Sequence, residues 1–186
     1  MYQDAKSVAV MLNVTGASYQ SCRLIDIVKD QLIQFIRNQL DEADVFYLYN
    51  PVQVDVMANR GDQICVVGNY ETDGYKSKEL SFALKQTYYV LAGQDEDTRR
   101  VLFYITNNFI EKDSIHLKKL FNIDRTLGDL EEPCEIVVVS LKSKNVDFSK
   151  LEEVCKDQAS LLMVEDPLEL HKVLGNFLED RYVDIK

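Results

Sequence analysis

Three short polar clusters stand where apolar runs end. Asn13-Val14-Thr15-Gly16-Ala17-Ser18 follows Ser7-Val-Ala-Val-Met-Leu12. Glu71-Thr72-Asp73-Gly74-Tyr75 precedes a stretch of helical period, and Thr106-Asn107-Asn108 closes Arg100-Val-Leu-Phe-Tyr-Ile105. The common phosphate-handling motifs are missing from these places. No G-x-G-x-x-G follows the first run, and no G-x-x-x-x-G-K-[ST] occurs anywhere, so nucleotide binding of the usual kinds is not expected. No G-x-S-x-G elbow is present, which disfavours a hydrolase nucleophile. Phosphoryl transfer would want an aspartate where Asn13 stands. His116 and His171 fall on helical stretches beside lysines and are expected to be surface residues without a Ser or Cys partner. Arg60-Gly61-Asp62 matches an adhesion tripeptide, and a Gly-Asp turn accounts for it equally. What Asn and Thr at strand ends do by themselves is form Asx- and Ser/Thr-type turns and cap helices.

The elements that would carry these clusters can be read from periodicity. Uniformly apolar runs at 7–13, 44–49, 100–106, 134–141 and 160–164 predict strands buried on both faces. The alternation at 52–57, after the turn signal Asn50-Pro51, predicts an edge strand in an antiparallel hairpin with 44–49. Leu24, Ile25, Val28, Leu32, Phe35, Ile36 and Leu40 recur at three and four, predicting a helix over 18–40 capped by Ser18 or Ser21. Further helices are expected at 76–92, 114–121, 149–156 (opened by the capping box Ser149-x-x-Glu152) and from Asp166-Pro167-Leu-Glu169 onward. Residues 122–133 read as an acidic loop, and 62–70 fit a strand or a short helix. Strands alternating with helices predict an α/β, doubly wound, Rossmann-like domain over 1–186. Its sheet would be mostly parallel and six-stranded, with one antiparallel edge strand and helices on both faces. Ligands of such sheets bind outside the carboxyl ends of the strands. That edge comprises the loops at 13–18, 70–75, 106–113 and 141–148.

Composition bounds the function. The chain has 186 residues, 46% hydrophobic and 28% charged, enough for one domain with a sizeable core. Lys plus Arg number 21 and Asp plus Glu 31, for a net charge of −10. Such a chain is repelled by nucleic acids and anionic membranes, and Lys118-Lys119 and the lysines around residue 80 read as solvated helix faces. Cys22, Cys65, Cys134 and Cys155 have no C-x-x-C spacing and are expected to be reduced, mostly buried thiols. With no visible signal peptide or membrane-length apolar run, a cytoplasmic or nuclear protein is expected.

The order of elements, with a polar cluster after the first strand, a Thr loop and a strand ending in Thr-Asn, resembles the von Willebrand factor A domain over about residues 7–182. The closing Glu165-Asp166-Pro167-Leu168 before the last helix fits as well. The resemblance implies a site at the top of the sheet where Asp-x-Ser-x-Ser, a later Thr and a second Asp hold Mg²⁺. Carried onto this sequence, those positions are Asn13, Thr15, Ala17, Thr72 and Asn107. Both carboxylates have become amides and one hydroxyl is lost, so a hard cation would gain far less there. Asp73 and Asp113 lie close enough in sequence to add charge.

The resemblance implies a protein-interaction module, here expected to be non-enzymatic and to use no metal or other cofactor. A Mg²⁺-dependent adhesion-type domain and a small enzyme on the same fold remain the alternatives. The expected partner is another protein, contacted through the upper loops, the 52–57 edge or a helix face.

Overall fold

In a computed structural model of the chain, residues 6–14, 18–19, 22–41, 44–49, 54–58, 84–85, 87–89, 91–93, 98–127 and 134–180 are described. Six strands form one sheet: β1 Lys6–Asn13, β2 Val45–Tyr49, β3 Val54–Ala58, β4 Arg99–Thr106, β5 Glu135–Leu141 and β6 Ser160–Val164, in the order β3-β2-β1-β4-β5-β6. All neighbouring pairs from β2 to β6 are parallel, and β3 lies antiparallel to β2. The continuous apolar runs are what a sheet covered on both faces requires.

Side chains alternate across that sheet. Val8, Val10, Leu12, Val101, Phe103, Ile105, Val137 and Val139 point to one face, with α1 (Leu24–Gln39) and α4 (Leu170–Asp180) packed on it. Ala9, Met11, Leu102, Tyr104, Ile136 and Val138 point to the other. There they meet α2 (Ser114–Leu127), α3 (Phe148–Cys155) and helical residues within 84–92, through Leu84, Tyr88, Leu91, Leu117, Leu120, Phe121, Leu151 and Val154. The fold is therefore α/β, with a mostly parallel sheet between two helical layers.

Several boundaries differ from the sequence reading, each for a local reason. Ser18, Tyr19, Cys22 and Arg23 are in strands, not in the helix. Ser18 pairs with Arg23 and Tyr19 with Cys22 in a small antiparallel ribbon, and α1 starts at Leu24, the first member of the apolar period. The segment expected to be a loop from 122 is helical to Leu127. Ile123 packs there on the core, and the Asp124 carboxylate accepts the Tyr88 hydroxyl at 2.8 Å. The cap of α3 is Asp147, whose side chain accepts the Lys150 N–H at 3.1 Å, so Ser149 lies inside the helix. Asp166 does cap the last helical segment, accepting from Leu168 N with Pro167 in the first turn. Residues 62–70, the Arg60-Gly61-Asp62 tripeptide and Leu80 lie outside the described residues.

The two ends of the sheet are built differently. At the amino end charges do the joining. The Asp44 carboxylate accepts Lys6 N at 2.7 Å and Asp41 N at 2.8 Å, and Lys6 Nζ lies 3.5 Å away. Arg99 grips both Glu135 oxygens at 3.0 and 3.3 Å and donates to Leu178 O at 3.1 Å. The carboxyl end carries a neutral row instead: Asn13 is in register with Thr106, and Thr106 with Ser140. All three are buried.

The centre of the α1/α4 layer is Phe103, fully buried and edge-on to Phe35 at 6.0 Å and to Phe177 at 5.8 Å. Gly175 brings α4 close to α1, since a Cβ there would meet Gln39 Nε2 at 2.8 Å. Phe103→Ala is expected to lower the unfolding free energy by about 3–5 kcal/mol in urea titration; a loss below about 1 kcal/mol would mean that this ring is not the keystone of the layer.

Candidate functional site

Asn13 ends β1 on the face shared by Met11 and Tyr104. Only 2% of it is exposed. Its amide nitrogen lies 2.9 Å from Asn108 O, 3.0 Å from the Tyr104 hydroxyl and 3.3 Å from Thr106 Oγ1. A main-chain carbonyl can only accept, so the contact with Asn108 O fixes which end of the amide faces the loop. The backbone joins in: Asn107 N–H donates to Asn13 O at 3.3 Å, and Asn108 N–H donates to Thr106 Oγ1 at 3.1 Å. Asn107 is itself buried. Two of the positions singled out in the sequence, Asn13 and Asn107, thus meet at one point of the carboxyl edge. Thr15, Ala17 and Thr72 lie outside the described residues, as does Asp73.

The loop after β4 continues the tie. Phe109 is fully buried and bridges in parallel to Val146. Its N–H donates to Asn145 O, and its carbonyl accepts Asp147 N–H, each at 3.0 Å. A turn of 3₁₀ helix, Glu111–Asp113, then leads into α2. Asp113 is not aimed at Asn13 as a supply of charge. Its Oδ2 accepts the Ile110 N–H at 3.0 Å, closing that turn. Burial pushes its carboxyl above the usual range, against the opposing pull of the Ile110 N–H and of His116 and Lys112.

Whether this edge fits a divalent cation can be judged from its donors. Asn13 Oδ1 is buried and has no hydrogen-bond partner among the described residues. It is neutral, and the neighbouring oxygens of Tyr104, Thr106 and Asn108 face the Asn13 amide nitrogen. Mg²⁺ asks for near-octahedral oxygen ligation, usually with carboxylates. Among the described residues no group of three or more His, Cys, Asp or Glu could hold a metal. Among the described residues the edge thus offers a cation one uncharged, unpartnered oxygen, Asn13 Oδ1, beside a hydrogen-bonded amide nitrogen.

The other sequence candidates lie apart from this tie. His171 is not a free surface residue: its N–H donates to Gln31 Oε1 at 3.1 Å and its Nδ1 lies 2.5 Å from the same oxygen, tethering α4 to α1. His116 is half-buried in α2, and burial lowers its pKa. Cys134 and Cys155 are buried free thiols, each pushed up to about 11 chiefly by burial. Cys65 and the side chain of Cys22 lie outside the described residues. Sequence reasoning missed Tyr104 and Phe109. Tyr104 read as one more apolar core position, although its hydroxyl two residues before Thr106 on the same face was a signal that a polar contact sits there.

No protein-family model matches the sequence, and no curated protein matches it. A structural match is found with a von Willebrand factor type A protein from Catenulispora acidiphila, at a TM-score of 0.53 and 7% sequence identity. The match covers 94% of this chain and 42% of that one, so the chain spans less than half the length of its structural neighbour. Such a likeness establishes the fold, as the order of elements suggested. Among the described residues no helix is long and apolar enough to cross a membrane.

If the Asn13 amide is the tie, its two conservative losses should differ. Asn13→Ala is expected to cost about 1–3 kcal/mol, the penalty for leaving buried acceptors without a donor. Asn13→Asp at neutral pH should cost more, because it sets a carboxylate against Asn108 O. Equal stability of Asn13→Asp and wild type in chemical denaturation would contradict this arrangement.

Proposed function

We propose that this von Willebrand factor A-like domain is a non-enzymatic protein-interaction module that works without a metal ion at its carboxyl edge. The observation that carries this reading is the Asn13 amide, turned inward onto Asn108 O, Tyr104 and Thr106. In the adhesion-type mechanism that the resemblance implies, an ion held at this edge grips an acidic group of the partner. Here the first-strand position carries hydrogen-bond donors in place of a negative ligand, and the loop that would open toward an ion is closed onto the sheet. A hard cation would have to be dehydrated with little electrostatic return. Contacts with a partner then come from loop and helix surfaces.

The same groups argue against catalysis. The buried row at the carboxyl edge consists of an amide and two hydroxyls, Asn13, Thr106 and Ser140, while the nearby Asp113 closes a turn. A cytoplasmic or nuclear setting is proposed with it; unpaired, buried Cys134 and Cys155 suit compartments that keep thiols reduced.

Two measurements test the reading together. A ligand that binds only the native state must raise its stability, by roughly 2.7 kcal/mol at a hundred times its Kd. Mg²⁺ or Mn²⁺ at millimolar concentration is therefore expected to leave the melting temperature of the wild-type chain unchanged. Affinity capture, run with and without Mg²⁺, should return the same partners for the wild type in both conditions. An Asn13→Asp, Ala17→Ser, Asn107→Asp variant restores the family's ligand types. A cation-dependent rise in the wild-type melting temperature, or capture that needs Mg²⁺, would replace this reading with the metal-dependent one.

A further inference from the structure

A shallow, open groove of about 630 Å³ lies beside the carboxyl-edge loop, lined by Ile110, Glu111, Lys112, Ser114, Ile115, Lys118 and Lys150. Two features set it apart. Ile110 and Ile115 are 41% and 56% exposed, among the few large apolar side chains left in water among the described residues. Lys112, Lys118 and Lys150 stand beside them with Glu111; Lys150 is matched by Glu153 and Glu111, which leaves Lys112 and Lys118 as the lysines open to an acidic partner. Lys150 is partly held in place, 3.2 Å from Glu153 and 4.0 Å from Glu111. Lys112 and Lys118 are exposed.

The walls say what kind of chain fits. They are the surface of α2, the turn before it and one residue of α3. None of these residues belongs to a strand, so the walls present no sheet edge on which an extended chain could add a ladder. A helix satisfies its own backbone and docks through side chains alone, which suits a surface without a sheet edge. Its apolar face would cover Ile110 and Ile115, and its flanks would carry carboxylates to meet the lysines. A long polyanion such as nucleic acid would answer the lysines but leave the isoleucines uncovered, and it would meet the repulsion of the whole chain.

Resting on the interaction-module reading above, we propose that this groove docks an acidic amphipathic helix of a partner protein. The position of the groove is set by the Asn13 tie, because Asn108, which the tie holds, is two residues before Ile110.

The probe is a fluorescein-labelled amphipathic peptide of Glu, Ala and Leu, about sixteen residues or roughly four turns long, with Leu at helical spacing. Its counterpart carries Lys in place of Glu. Fluorescence anisotropy with the wild-type chain should show the Glu peptide binding at least about tenfold more tightly than the Lys peptide, a difference of about 1.4 kcal/mol, and weakening as salt rises. Lys112→Glu with Lys118→Glu should lower affinity for the Glu peptide about tenfold, and Ile115→Ser should lower it independently of salt. These positions are exposed, so thermal melting should match the wild type. Equal binding of both peptides, binding unaffected by the groove substitutions, preference for a DNA duplex of equal charge, or no binding of the Glu peptide would each overturn the proposal. So would self-association of the chain that disappears with Ile115→Ser. The groove variants are also run in the affinity capture. Partners retained by these variants would refute the groove while leaving the interaction module standing; a wild-type chain that captures nothing would refute the module.

Discussion

A side-chain amide nitrogen has two protons, and Asn13 presents them to three oxygens that belong to β4 and the loop after it. Two of the separations, 2.9 and 3.0 Å, are those of full hydrogen bonds, and the third, 3.3 Å to Thr106, is a weaker share. This is the constraint on which the carboxyl edge depends. It joins the ends of the two central strands where parallel pairing stops, through a side chain that is itself buried. Buried amides of this kind matter through the cost of leaving their partners unmet more than through the net gain of each bond. The polarity of the group also matters: a donor is needed at this spot, and a carboxylate would supply the opposite.

The tie propagates outward along the chain. Asn108 is held by Asn13, the next residue, Phe109, is sunk into the core, and its backbone pairs with the segment 145–147. Ile110 then emerges at the surface while Asp113 closes the turn onto its N–H. The surface loop and the start of α2 are thus fixed by interior contacts, so the exposed isoleucines and lysines are presented on a stiff support. A preorganised surface of this kind loses less entropy on binding than a mobile loop would. The amino end of the sheet is secured separately, by Asp44 and by the Arg99–Glu135 pair.

Much of this was legible in the residues. Apolar runs such as 7–12 and 136–139 announce strands covered on both sides, and the period through Leu24, Val28, Leu32 and Phe35 announces α1. The polar residues that end those runs, Asn13, Thr106 and Asn107, mark the edge where the strands meet. What periodicity could not give was pairing information. The ribbon of Tyr19 with Cys22 and the continuation of α2 to Leu127 rest on contacts between segments, as does the cap at Asp147 in place of Ser149. The orientation of the Asn13 amide depends on Tyr104 and Asn108, which lie over ninety residues away in sequence. The groove was hidden for the same reason: Lys118 read as part of an ordinary solvated face until the fold set Ile110, Lys112 and Lys150 beside it.

The inward amide is also directly observable. Hydrogen exchange of the Asn13 side-chain amide protons, followed by NMR in the presence of Mg²⁺ and again with a chelator, reports whether they are bonded to the protein. The account predicts slow exchange and identical resonances in both conditions. Rapid exchange, or an Asn13 resonance that moves when Mg²⁺ is added, would contradict it.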